Sequence, residues 1–296
     1  MKKNTNLLKQ FQEFYKQKPD EDIEAVIERF AIFGGKSFDI EYYLPIDELI
    51  EYEILEKYKY LHEDITELTD GRPLLHAILT GIALGDRRTH SAFKRARVSE
   101  KEGLEAVDEL IKLNLVKLEK TKQKSTSWVD ADKADDKLVF TSPFLRFWFA
   151  FVSPIFKGIK DGEFKEFKKR YENHKAEFTD YIFTQLSYEL LKQNFTDDKI
   201  AEIGSYWNKD IEIDIYAKTV SGKTIVGTTK YTNSKMKKSE LTKLQQMCKD
   251  ANIEADIFVL VSKKGFSSEL KSLKSDTLKL YTLKHFKTLV KTLKKP

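Results

Sequence analysis

Hydrophobic periodicity predicts helices in the first two thirds of the chain. Apolar residues recur at helical spacing over residues 6–33, with an interruption at Pro19, and Asp20 is placed to cap the second helix. Gly34 and Gly35 follow that helix and are expected to end it. Further helices are predicted over residues 46–69, 72–84, 99–114, 162–172 and 174–194.

The order of elements between residues 72 and 142 is that of a winged helix-turn-helix. Three helical stretches come first, the second in a basic segment (86–98) and the third capped by Ser99. LVKLEK (115–120) then alternates like a strand, and KLVFTS (137–142) is expected to pair with it across a polar loop. Three helices followed by a two-stranded ribbon therefore predict this fold.

Five cations lie on or beside the predicted second helix, where phosphate contacts are common. They are Arg87, Arg88, Lys94, Arg95 and Arg97. The alternative is a small helical packing module whose arginines are merely exposed. Glu100 and Glu102 favour that alternative, because they open the third helix with charges that repel DNA.

SPFLRFWFAFVSP (142–154) contains five aromatic residues within eight positions. Such a density predicts a buried segment in a core or between domains rather than an exposed loop. A base-stacking role is the alternative for these rings.

After residue 200 the hydrophobic period changes from 3.6 to 2. IEIDIYA (211–217), a turn at SGK and TIVGTTKY (224–231) predict an antiparallel hairpin. A lysine-rich helix (235–251), a strand (255–262) and a final strand and helix follow. The pattern predicts a mixed sheet flanked by helices.

Charge is distributed unevenly along the 296 residues. Residues 1–70 contain 9 Lys or Arg against 17 Asp or Glu, whereas residues 230–296 contain 16 lysines against 6 acids. An acidic head and a basic tail suggest a polyanion partner for the tail, or contact between the two halves of the chain, and the acidic N-terminal helices are a candidate surface for a protein partner. An ordinary solvated lysine-rich surface is the alternative for the tail.

Composition narrows the classes of protein. One cysteine excludes an internal disulfide and a multi-cysteine zinc site, and the five histidines have no metal-ligand spacing. Neither a signal peptide nor an apolar run long enough for a bilayer is visible, so a cytoplasmic location without membrane contact is expected.

Candidate chemistry lies on the predicted hairpin. Glu212 and Asp214 are two apart on one strand and share a face, and Thr228 and Lys230 share a face of the next. The hairpin can bring Asp214 near Thr228 and Lys230. A metal-dependent phosphodiesterase needs at least acidic oxygens that bind the metal and a lysine beside them. The alternative is an exposed hairpin face with an ordinary ion pair.

Five motifs occur in the order found in one family. IGSYWNKDIEIDI (203–215), VGTTKY (226–231) and FVLVSKKGF (258–266) resemble the C-terminal domain that follows archaeal-type P-loop ATPases, a domain similar to PD-(D/E)-x-K restriction-endonuclease-like nucleases. The aromatic segment resembles the same family's upstream motif, and residues 33–44 resemble the end of its ATPase module. Residues 72–142 resemble its winged helix. The resemblance covers most of residues 30–290.

The chain departs from this family at its metal ligands. The second hairpin strand of the family typically reads Gly-Glu-Cys-Lys, whereas Thr228 stands here in place of the Glu, and Thr184 follows Phe183 where the family often has a Glu. Asp214 and Lys230 match the pattern. The resemblance thus implies a relic catalytic site of Asp214, Lys230 and Glu212. Asp214, Glu212 and Glu189 would be the ligands of Mg²⁺ or Mn²⁺ if the site still functions.

No nucleotide site is expected. FGGKS (33–37) lacks the glycine that a P-loop requires five residues before its Gly-Lys-Ser, since Phe30 stands there. The ATPase core of the family, and with it ATP binding, is therefore not expected.

The sequence predicts an α+β or α/β protein with three parts: an acidic helical region (1–70), a winged helix (71–142) and a restriction-endonuclease-like mixed-sheet domain flanked by helices (143–296). The favoured function is a DNA-associated protein with a winged helix and an inactive or weakened nuclease-like domain; the sequence leans against an enzyme without deciding the point. The alternatives are an active metal-dependent DNA endonuclease and a protein-interaction scaffold that uses the acidic N-terminal helices.

Overall fold

The computed structural model describes residues 6–19, 21–122 and 136–291. The chain forms two compact units. Helices α2 (Ile23–Phe33) and α10 (Lys165–Asn194) contribute residues to both units. Unit 1 comprises Met1–Lys18, Glu28–Lys120 and Ser127–Phe178, and unit 2 comprises Pro19–Ile27, Thr121–Thr126 and Thr179–Pro296. The predicted cap at Asp20 lies outside the described residues, and the three-part division predicted from the sequence stays a prediction.

Unit 1 is mostly helical. Its α-helices and those shared with unit 2 are α1 (Leu7–Tyr15), α2 (Ile23–Phe33), α3 (Ile46–Ile50), α4 (Tyr58–Leu68), α5 (Pro73–Ala83), α6 (Thr89–Ala96), α7 (Glu100–Lys112), α8 (Pro143–Phe147), α9 (Phe156–Lys160) and α10 (Lys165–Asn194). Strands β1 (Val116–Glu119) and β2 (Lys137–Phe140) pair antiparallel, as predicted. The described residues of unit 1 also form two π-helical turns, Glu51–Leu55 and Trp148–Val152, and a 3₁₀ turn, Ser153–Ile155.

Local signals account for several helix ends. The Ser99 side chain accepts a hydrogen bond from the Glu102 N–H while Glu102 reaches back to Ser99, which is the capping box expected for a serine with a glutamate three residues later. Gly35 follows α2 with a φ of 85°, a left-handed conformation that glycine adopts without strain. The sequence therefore identified both the start of α7 and the end of α2.

The aromatic segment is buried, as predicted. Phe144, Phe147, Trp148, Phe149 and Phe151 are each at most 1% exposed. Their rings pack within unit 1, where Phe144 contacts Phe38 at 5.0 Å, Trp148 stacks on Tyr58 at 5.7 Å and Phe151 meets Phe178 edge-on at 5.0 Å between ring centroids. These rings form a large part of the core of unit 1.

Unit 2 is built on a mixed sheet. Its described strands are β3 (Ile200–Trp207), β4 (Glu212–Thr219), β5 (Thr224–Lys230), β6 (Ile257–Ser262) and β7 (Leu278–Thr282), and they lie in that order across the sheet. The β3–β4 and β4–β5 pairs are antiparallel, whereas β5–β6 and β6–β7 are parallel. The predicted hairpin and mixed sheet are thus confirmed. The remaining helices are α11 (Lys238–Asp250), α12 (Ser268–Ser272), α13 (Leu283–Phe286) and α14 (Thr288–Lys291).

Helix α11 covers one face of this sheet. Leu241, Leu244 and Cys248 pack with Val226 and Leu260 in a buried cluster. At Gly227, in the centre of β5, a Cβ atom would lie 2.5 Å from the carbonyl oxygen of Val259, so the close approach of β5 and β6 requires glycine there.

One side chain closes the outer end of β3. The Thr121 hydroxyl accepts a hydrogen bond from the Trp207 N–H at 3.0 Å and donates to the Trp207 carbonyl oxygen at 2.6 Å. Both backbone groups at the end of this edge strand are therefore satisfied by Thr121.

The structure differs from the sequence prediction at one helix and one strand. Residues 162–172 and 174–194 were predicted as two helices, but α10 is continuous over 30 residues. Asn173 and His174 do not break a helix, and Tyr171 and Phe178, seven residues apart, are buried on the same helix. Strand β3 was not predicted, because its register is irregular around Gly204 and its alternation is correspondingly weak.

Among the helices of the described residues, none is both long enough and apolar enough to cross a membrane.

Candidate functional site

Asp214 lies at the centre of a hydrogen-bonded cluster on the hairpin. The antiparallel register places β4 and β5 so that Ile215 is opposite Gly227, and Asp214 is therefore beside Thr228. The Thr228 hydroxyl donates to Asp214 Oδ2 at 2.6 Å, and the Thr229 N–H donates to the same oxygen at 3.0 Å. The predicted proximity of Asp214 and Thr228 is confirmed.

Lys230 forms an ion pair with a residue of helix α11. Its Nζ lies 2.7 Å from Glu240 Oε1, in the first turn of α11, and the two side chains are 27% and 34% exposed. Glu240 is not among the residues predicted from the sequence, because the phase of α11 relative to β5 cannot be read from the spacing of the two residues. The structure thus adds Glu240 as a partner of Lys230, and the predicted closeness of Lys230 to Asp214 stays a prediction.

Polar contacts join helix α10 to the hairpin and to the residue that follows it. The Thr184 hydroxyl lies 2.6 Å from the Thr229 hydroxyl, and Asp180 Oδ1 accepts from the Tyr231 N–H at 2.8 Å. The Tyr188 hydroxyl donates to the carbonyl oxygen of Asp214 at 2.6 Å. Thr184, where the resembled family often has a carboxylate, therefore serves as a neutral anchor.

The other candidate ligands do not complete a metal site. Glu212 is exposed at the start of β4, and Glu189 on α10 forms an ion pair with Lys192 at 2.8 Å. The part of the chain that the structure describes contains no group of three His, Cys, Asp or Glu residues that could hold a metal ion. Because Mg²⁺ and Mn²⁺ prefer several oxygen ligands including carboxylates, the residues present do not fit such an ion.

The five cations around α6 differ in exposure. Arg87 is buried and pairs with Glu119 on β1 at 3.3 Å, and Arg88 is half-buried at the N-cap of α6. Lys94, Arg95 and Arg97 are exposed at the end of the helix, and Arg95 donates to the Gly81 carbonyl oxygen at 2.6 Å and lies 3.8 Å from Asp86 Oδ1. All five cations thus lie on or beside α6, as predicted, and their contact with a polyanion stays a prediction.

Comparison with known proteins gives one partial match. No curated protein and no solved structure matches the chain at a significant level. Residues 148–243 match the model of a family, DUF234, described as archaea bacterial proteins of unknown function. The matched segment runs from the aromatic residues to α11 and includes Asp214, Thr228, Lys230 and Glu240, so the candidate cluster lies within the part of the chain that is similar to this family.

Proposed function

We propose that the chain is a DNA-associated binding protein whose unit 2 has a restriction-endonuclease-like fold without metal-dependent cleavage. The observation that carries the proposal is the Asp214 carboxylate, one oxygen of which is bonded to the Thr228 hydroxyl and the Thr229 N–H. The order of strands supports the fold, since an antiparallel β4–β5 hairpin continues into parallel β6 with Asp214 and Lys230 on adjacent strands.

Hydrolysis of a phosphodiester in such a fold needs a cation that activates water and neutralises charge at the phosphorus. Threonine oxygens are neutral and bind Mg²⁺ poorly compared with carboxylates. Lys230, the lysine that would assist, is engaged by Glu240. These contacts favour a binding role over cleavage for the nuclease-like domain.

In unit 1, helices α5 to α7 and the β1–β2 ribbon support a winged helix. Lys94, Arg95 and Arg97 give the end of α6 a positive, exposed surface that suits phosphate contacts. The first turn of α7 contains Glu100 and Glu102, and this favours backbone contacts over base reading in the major groove.

The charge of the C-terminal region supports a polyanion partner. Its 16 lysines after residue 229, without a single arginine, favour weak binding that tolerates many sequences, because lysine acts as a point charge and makes fewer bidentate base contacts. DNA is the expected ligand.

Fluorescence anisotropy with a labelled DNA duplex tests the proposal. The observed association constant should fall steeply between about 50 and 200 mM salt, since each neutralised phosphate adds about 0.9 to the logarithmic slope. Lys94→Ala combined with Arg95→Ala and Arg97→Ala should reduce that slope. Absence of DNA binding at low salt, or an association constant that does not change with salt concentration, would contradict the proposal and would favour the protein-interaction alternative.

A further inference from the structure

Two lysines at one end of the sheet in unit 2 share a single carboxylate. Lys263 Nζ lies 2.7 Å from Glu24 Oε1, and Lys264 Nζ lies 3.3 Å from Glu24 Oε2. Glu24 is in the first turn of α2, within the segment Pro19–Ile27 that belongs to unit 2. One acid from the N-terminal region thus bridges two cations that follow β6.

The position of Lys263 is fixed by more than this ion pair. Its side chain is only 8% exposed, and its Nζ lies over the ring of Tyr231 at 4.2 Å from the centroid. Its backbone N–H donates to the carbonyl oxygen of Lys230 at 3.0 Å. The ammonium group therefore stays at the end of the sheet when the carboxylate of Glu24 turns away.

Both lysines lie beyond the end of a parallel strand. Strands β5 and β6 are parallel and end side by side, with Lys230 opposite Ser262 and Lys263 next along the chain. Lys263 and Lys264 lie at that edge, and so does Lys230.

We propose that Lys263 and Lys264 bind a phosphodiester of the nucleic-acid backbone, and that Glu24 occupies their site as an internal competitor when nucleic acid is absent. The inference rests on the proposed nucleic-acid function and adds a site and its regulation. A phosphodiester, like a carboxylate, carries one negative charge and two oxygens that accept from both ammonium groups. The Glu24 side chain is 27% exposed, so the exchange begins with its rotation into solvent.

Electrostatics support the role of Glu24 as the competing anion. Burial by itself raises the pKa of Glu24, but the hydrogen bonds and charges of Lys263 and Lys264 outweigh it and hold the pKa below its ordinary value. Glu24 is therefore ionised at neutral pH and competes with an incoming anion at full charge. Glu24→Gln keeps the shape of the side chain and removes its charge, so it no longer competes with an incoming anion for the two lysines.

The test compares the binding of a labelled DNA duplex by the full chain and four variants: Glu24→Gln, Glu254→Gln, Lys263→Ala with Lys264→Ala, and the combination of Glu24→Gln with both lysine substitutions. Glu254 is exposed between α11 and β6, and Glu254→Gln makes the same change of net charge. Glu24→Gln should bind about two- to fivefold more tightly than the wild type and Glu254→Gln, the gain expected from releasing a partly exposed ion pair. The lysine substitutions should weaken binding and abolish that gain.

Equal affinities of Glu24→Gln and Glu254→Gln, with salt-dependent binding by both, would overturn this inference and leave the proposed function standing. Absence of DNA binding by every protein would overturn both. If thermal melting shows that the Lys263→Ala double variant does not fold, Lys264→Ala alone replaces it, because that side chain is 42% exposed. Loss of the Glu24→Gln gain in the Lys264→Ala background is then the expected result, and an undiminished gain contradicts the proposal.

Discussion

Single side chains decide what the hairpin of unit 2 can do. In the resembled family a carboxylate stands where Thr228 donates its hydroxyl hydrogen to Asp214. Two acids at these positions would need a cation between them, whereas the Thr228 hydroxyl and the Asp214 carboxylate are a donor and an acceptor that satisfy each other. Thr184 and Thr229 form a second such neutral pair on the side of α10.

A carboxylate at position 228 should create a metal-binding pair with Asp214. Thr228→Glu places two acids side by side, so the variant should melt at a lower temperature without metal and regain stability with Mn²⁺, whose affinity should rise roughly tenfold or more. Calorimetric titration with Mn²⁺ measures the affinity, and Thr228→Gln provides a control of the same shape. Unchanged Mn²⁺ affinity in Thr228→Glu would contradict this account of the site.

Wild-type protein should not cleave single- or double-stranded DNA above background with Mg²⁺ or Mn²⁺. The reason is that misplacement of a catalytic group by about 1 Å costs on the order of a hundredfold in rate, and Asp214 alone positions a cation poorly. A cleavage assay of wild type beside Asp214→Ala measures this. Robust cleavage that disappears in Asp214→Ala would show an active site, completed by Glu212 or Glu189.

Asp214 should also stabilise the fold. Asp214→Ala removes the acceptor of the Thr228 hydroxyl and of the Thr229 N–H, which should lower the free energy of unfolding by about 1–3 kcal/mol. Asp214→Asn retains an acceptor oxygen and should lose less. Urea denaturation of the three proteins gives the comparison, and equal stability of Asp214→Ala and wild type would show that these hydrogen bonds contribute nothing.

Among the secondary-structure elements, those with a strong local pattern were predictable. The hairpin was found because period-2 alternation on both sides of Ser221 and Gly222 sets the register, and register alone places Asp214 beside Thr228. The Lys230–Glu240 ion pair was not found, since it depends on how α11 packs on the sheet. The break assumed near Asn173 was wrong because tertiary burial on both sides favours one helix over weak local preferences.

The loop after α2 should not bind ATP. A phosphate-binding loop follows a strand and directs free backbone N–H groups at the phosphates. Here the loop follows a helix, the Gly34 carbonyl oxygen accepts from the Ser142 hydroxyl at 3.1 Å, and Lys36 pairs with Asp64 at 2.6 Å. Calorimetry with magnesium and ATP should register no binding heat. A micromolar Kd for ATP would contradict this prediction.

At the level of the whole chain, the boundary predicted from the sequence crosses unit 1. A fragment of residues 143–296 would begin with the aromatic segment and would lack Phe38 and Tyr58, on which Phe144 and Trp148 pack. Exposed together, these rings form an aggregation-prone apolar patch. The fragment should therefore be poorly soluble, or bind a hydrophobic dye strongly, in comparison with the full chain. A soluble fragment that unfolds cooperatively would show that residues 143–296 fold independently.

The hydrogen bonds between Thr121 and Trp207 affect how readily β3 pairs with a strand of another copy of the chain at high protein concentration. An open edge strand offers a ladder of donors and acceptors to any extended chain, and uncontrolled pairing at such edges leads to fibres. At Trp207 that ladder is already occupied by one hydroxyl, which serves both groups of the residue. A visiting strand gains no hydrogen bonds at this end of β3, and the chain thereby resists templated self-assembly there.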